Sequence, residues 1–243
     1  MNGYVYITDA ETTALRDVSV GATVRNPNAG PPWIVVNHSL AAVVVSRWPG
    51  RLLRVEILEK ASEQPNAHAN YTRAVAVEVV EELSALSLLG EHGASIVEIL
   101  ARIDTLTLDE AFALSTAVQS SSPEIYSNAW KTWLTKVSGH SVYQDANHED
   151  TVQIRIGQAV SPVGYAFSLV SFRVYNRGKA VSGPAALVVD AEGESILQAP
   201  WSEAMHALLH ATLAFGAPSL LTTQEAAALK VPWETVLRGS AGH

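Results

Sequence analysis

The chain has 243 residues, enough to bury one large core or two small ones, and a formal net charge of −8. Neither half is basic, which argues against nucleic acid as the main partner, because phosphate binding needs clustered Lys and Arg. There is no cysteine, so disulfides, thiol catalysis and thiolate metal sites drop out together.

The first sixty residues predict strands. GYVYI (3–7) alternates, and DVSVGATVRN (17–26) places Val18, Val20, Ala22 and Val24 on one face. NAGPPW (28–33) breaks the pattern. IVVNHSLAAVVVSRW (34–48) is rich in β-branched residues, and Trp48-Pro49-Gly50 supplies a turn. LLRVEILEK (52–60) is expected to return antiparallel to VVVSR (43–47). ASEQPNAHAN (61–70) is a polar loop.

Helices are expected next. YTRAVAVEVVEELSALSLLG (71–90) has helical spacing at Glu78, Glu81 and Glu82, although its Val-rich start reads equally well as a strand. GASIVEILARI (93–103) is amphipathic. Thr107-x-x-Glu110 is a capping box, in which each side chain satisfies the other's unpaired backbone N–H. Ser122 is placed to cap a helix with Pro123 at its first position, carrying Trp130 and Trp133 and stopping near Gly139.

GHSVYQDANHED (139–150) reads as a polar connector. A β-meander is expected after it: TVQIRIGQAV (151–160), GYAFSLVSFRVYN (164–176) and PAALVVDAEGESILQAP (184–200). Two helices then close the chain. The second opens on the capping box Thr222-x-x-Glu225 and is expected to end before Pro232. The tail Gly239–His243 reads as a tag remnant.

This order predicts an α+β fold, with antiparallel sheet regions at 1–60 and 151–199 and intervening and C-terminal helices. Two regions, 1–120 and 121–238, or one continuous domain both satisfy it. No charged leader and no apolar run of about 18 residues is present. A soluble cytoplasmic protein is the expectation. Only 16% of residues are charged, and the thin surface charge suits self-association.

WSEAMHALLHATLAF (201–215) is the one stretch with metal-ligand spacing. On a helical wheel Glu203, His206 and His210 cluster beside the apolar stripe, close enough together to share an ion. Ordinary helix chemistry explains them too: Ser202 suits an N-cap, Glu203 suits the first turn, and two histidines suit a wet face. The glutamate between paired histidines that marks a zinc protease helix is missing. His140 and His148, with Asp145, Glu149 and Asp150, form a small acidic connector. His38 and His92 read as satisfied structural histidines.

Trp33, Trp201 and Trp233 follow prolines, or lie next to one, and Trp48 precedes one. Such residues anchor a chain where it enters an element, or line an aromatic interface. No serine-nucleophile elbow, phosphate loop or dinucleotide fingerprint occurs.

GYVYI (3–7) and VGAT (20–23) resemble the two paired motif strands of GIY-YIG nucleases. That family carries an arginine shortly after its second motif, where this chain reads NPNAGPPW, and Arg25 comes too early. The resemblance is therefore not taken as an identification.

Two functions remain. The first is a non-catalytic binding or assembly protein working through protein–protein contact or self-association, as a homo-oligomer, with Trp33, Trp48, Trp201 and Trp233 as interaction residues. It needs no cofactor, nucleic acid or membrane. The second is a small-molecule enzyme, a metal-dependent hydrolase holding a divalent ion on Glu203, His206 and His210.

Overall fold

A computed structural model describes residues 2–9, 14–27, 30–66, 69–137 and 163–238. The fold is α+β with antiparallel sheets and C-terminal helices. The expected strand 151–160, the 139–150 connector with His140 and His148, and the 239–243 tail lie outside the described residues. Compactness divides the chain into Met1–Leu88 and Leu89–His243. Within the second unit the helices of 93–117 pack with those that follow.

The first unit is a sheet of β1 (Asn2–Thr8), β2 (Thr23–Arg25), β3 (Ile34–Asn37), β4 (Gly50–Lys60) and β5 (Tyr71–Leu83). Their order is β2-β5-β3-β1-β4, and β4 pairs back onto β5, so the sheet closes on itself. Closure suits the long strands β4 and β5, whose ladder slips at Arg54/Val55, Ile57/Glu59 and Glu59/Lys60. Such bulges bend a strand and tighten its twist. Inside sit Val5, Ile7, Leu15, Val24, Val36, Leu53, Val55, Ala74, Val77 and Val79. Burying each large aliphatic side chain contributes about 1.5–3 kcal/mol.

Three expectations are corrected here. Residues 71–83 form a strand rather than a helix. Their run Ala74–Val77 is buried without alternation, which local periodicity cannot tell from a helix segment. The hairpin of VVVSR with LLRVEILEK does not form. Instead β4 pairs with β1 from Thr8↔Gly50 to Asn2↔Glu56 on one side and with β5 on the other. Both edges of β4 are thereby used, and Val43 and Val45 are buried by packing alone. Gly50 is where the chain meets β1, and a Cβ there would fall 2.6 Å from both the Ile7 carbonyl and the Tyr6 ring. Of DVSVGATVRN only Thr23–Arg25 is a strand, and it pairs with β5, so β1 and β2 are not neighbours as the nuclease resemblance would require.

The second unit contains α1 (Gly93–Ile103), α2 (Leu108–Ala117), α3 (Ser122–Val137), α4 (Gly164–Ser182), the hairpin β6 (Leu187–Val189) and β7 (Ser195–Leu197), α5 (Trp201–Gly216) and α6 (Thr223–Pro232). The capping boxes at Thr107 and Thr222 are both formed. Ser122 begins α3, but its hydroxyl is buried without a partner and caps nothing.

GYAFSLVSFRVYN is helical, not a strand. Its buried residues Ala166, Phe167, Val170, Val174 and Gly178 recur at three- and four-residue spacing, the period of one helix face. Arg173 reaches Asp104 at 2.6 Å, and Arg177 donates to the Leu106 carbonyl at 2.8 Å, tying α4 to the end of α1. The last helix also runs through Pro232 instead of ending before it, passing into a wider turn over Trp233–Arg238. There Thr235 donates to the Val231 carbonyl at 2.7 Å.

Helix α5 is the centre of this unit, packed by α1, α2, α3, α4 and α6. Its end meets Gly90, which has φ +110° and no room for a Cβ against the Gly216 backbone. Glu91 and His92 donate backbone N–H groups to the Gly216 and Phe215 carbonyls, at 2.9 and 3.1 Å.

Candidate functional site

The helix with metal-ligand spacing is the first place to look. Glu203 and His206 are exposed on the first turns of α5, whereas His210 is 6% exposed. Helix α5 starts at Trp201, so Ser202 lies inside it rather than at its cap. The wheel placed His210 on a wet flank. In the fold that flank is covered, because the second half of α5 is buried on every side. Among the described residues no three His, Cys, Asp or Glu side chains converge as a metal ion would require.

His210 instead belongs to an aromatic cluster. Its ring lies 4.9 Å from that of Tyr126 on α3, which stacks on Phe167 of α4 at 6.2 Å. Trp130 packs edge-on to Phe167 at 5.5 Å and to Trp133 at 5.9 Å. The His210 Nδ1 is buried without a hydrogen-bond partner. Burial, with the nearby His206 charge, pushes the imidazole down to about 4, so it is neutral at pH 7.

The four tryptophans separate. Trp201 and Trp233 are 1% and 2% exposed and belong to the helical core. Trp201 donates its indole N–H to the Ser182 hydroxyl at 2.9 Å, anchoring the chain where α5 begins. Trp33 and Trp48 are half-buried, and Trp33 lines a cleft.

That cleft, of about 580 Å³, lies wholly within the first unit. It opens where β1 and β3 part. The two strands pair at Tyr4↔Asn37 and nowhere further along. Val5 and Ile7 line it from one side, Ile34, Val35 and Trp33 from the other, with Leu15 and Val24 at its floor. Pro27, Pro32 and Val44 complete the rim. No described lining residue carries a carboxylate, imidazole, ammonium or guanidinium group.

Side-chain hydrogen bonds hold the wall. Asn26 donates to the Gly30 and Pro32 carbonyls at 2.7 and 2.9 Å, tying it to the chain just before Trp33. Asn37 donates to the Tyr4 carbonyl at 3.2 Å, and the Tyr6 hydroxyl donates to the Arg47 carbonyl at 2.9 Å. Arg51 donates to the Arg16 and Val18 carbonyls while paired in a two-pronged bond with Glu82, and so fixes the turn that supplies Ala14 and Leu15. That bond holds the Glu82 carboxyl below its usual range.

The chain matches no family model, no curated protein and no solved structure. The site therefore stands on its own geometry. Sequence reading singled out Trp33 but not Tyr6, Asn26, Val35, Asn37 or Val44. The run NAGPPW ending in Trp33 is the available signal, since an aromatic beside prolines in a chain break suits an interface. The gap between β1 and β3 leaves no mark in either strand's own pattern.

Proposed function

We propose that this chain is a non-catalytic binding protein that captures a partner, another protein or a second copy of itself, through the cleft between β1 and β3. One observation carries the reading: a cleft of about 580 Å³ with an apolar, uncharged described lining and a half-buried tryptophan at its edge. Binding clefts of this size are mostly apolar with a few fixed polar groups. A catalytic site would need an acid, base, nucleophile or metal at the wall. The described lining offers only the Tyr6 phenol, whose O–H is already engaged.

Val35 and Val44 are 43% and 56% exposed, so arginine at both blocks the opening without disturbing the core. The test is fluorescence titration with Nile red, a neutral apolar dye. Wild type is expected to bind it, and Val35→Arg/Val44→Arg to lose binding at least tenfold while keeping its circular dichroism spectrum. Equal binding by both proteins would place the dye elsewhere and remove the cleft from the reading.

A further inference from the structure

We infer that the occupant of this cleft is a short, extended, uncharged segment of polypeptide that pairs with the edge of β3 facing β1. The inference rests on the cleft being a binding site and adds the chemical class of what it binds.

The strand pairing carries the argument. On its β5 side β3 is paired throughout, from Ile34↔Ala74 to Asn37↔Tyr71. On its β1 side it is paired at Asn37 alone. β1 meanwhile pairs with β4 along its whole length, from Asn2 to Thr8. Backbone N–H and C=O groups alternate across a strand, so part of Ile34–Val36 presents donors and acceptors to the cleft rather than to β5. A hydrocarbon ligand would strip water from those groups and return no hydrogen bond, at a cost of order 1–3 kcal/mol per group. An extended peptide returns the bonds in kind.

The lining fits a strand in a second way. Val5 and Ile7 belong to the interior, and Ile34 packs against it, whereas Val35 is 43% exposed on the outer side. All four line the same cleft, which therefore passes through the wall of the sheet. A strand inserted there alternates its side chains, one set entering the core and the other lying beside Trp33 and Val44. Since β1 and β3 are antiparallel, the guest runs antiparallel to one and parallel to the other. On β1 the lining spans Val5–Ile7, about 10 Å at the strand rise, so only a few residues enter. The described lining is uncharged and favours an uncharged guest, because a buried unpaired charge is far costlier than an amide.

The experiment displaces Nile red from the full chain with acetyl-Thr-Val-Ile-Val-Thr-amide. It is repeated with copies in which single amides are replaced by esters, and with a copy bearing Lys at the centre. The parent peptide is expected to displace the dye and to slow amide exchange at Val35, whose backbone groups face away from β5. At least one ester is expected to weaken it about tenfold, the loss of one hydrogen bond. The Lys copy is expected to fail. Dye that binds but yields to no peptide overturns the inference and leaves the cleft as a site for small apolar molecules. Esters as potent as the parent overturn it as well. Dye that never binds removes the cleft reading itself.

Discussion

The imidazole of His210 lies against the ring of Tyr126, with centroids 4.9 Å apart and planes inclined by 48°. This pairing turns a residue with metal-ligand spacing into part of a helical core, with a consequence for acid stability. The folded imidazole sits at about 4 against an ordinary 6.5, through burial first and the His206 charge second. Between those values the unfolded chain binds more protons, so acid favours unfolding. The contribution is complete above about pH 6.5 and is lost as pH falls toward 4. It amounts to about 3 kcal/mol. Urea unfolding followed by tryptophan fluorescence at pH 7.5, 6 and 5 is expected to show stability falling with pH. His210→Leu is expected to flatten that fall, and an unchanged slope would mean that other groups set it.

At Gly178 a Cβ would lie 3.0 Å from the Trp201 ring and 3.3 Å from Leu197. Helix propensity alone makes Gly→Ala stabilising inside a helix by about 1 kcal/mol. Close packing reverses the sign for a larger group. Gly178→Val is expected to cost about 1–3 kcal/mol in the same unfolding measurement. A stabilised Gly178→Val would show that α4 and Trp201 can move apart cheaply.

Arg51 joins Glu82 to the Arg16 and Val18 carbonyls, and its side chain is 27% exposed against 46% for Glu82. Solvent screening limits the ion pair itself to about 1 kcal/mol or less. The larger effect of Arg51→Met is local: amides of residues 15–18 are expected to exchange faster and Nile red binding to weaken. Arg51→Lys should not restore either, since a single ammonium cannot reproduce the guanidinium fork. Recovery with Lys would reduce the role to charge alone.

The Thr107 hydroxyl accepts from the Glu110 backbone N–H at 3.2 Å, and the Thr107 backbone N–H donates to the Glu110 carboxylate at 2.8 Å. Thr107→Ala is expected to cost about 1 kcal/mol, read from the unfolding midpoint. At Thr222 the same arrangement holds the Glu225 carboxyl below its usual range, through the Thr222 backbone N–H first and its hydroxyl second. Its folded value is depressed, so that cap is complete above the ordinary carboxylate value and is lost as pH falls through the folded one. Titration of Glu225 by carbon-13 NMR is expected to show the depression in wild type and its loss in Thr222→Ala.

The sequence by itself determined what is written within a few residues. Thr107 and Thr222 form their capping boxes because donor and acceptor lie three residues apart. GASIVEILARI folds on its own period, and β6 and β7 close around Gly193. The fold class follows from such local signals. Only the tertiary structure decided the rest. Residues 71–83 became a strand because β2, β3 and β4 offer them partners up to fifty-five residues away. Residues 164–176 became a helix because α5 and α1 bury one face of them. His210 entered the core because α5 is surrounded, which no single helix wheel can show. The cleft exists because β1 and β3 part after one pair, and pairing between distant strands is a property of their neighbours rather than of either strand's own residues.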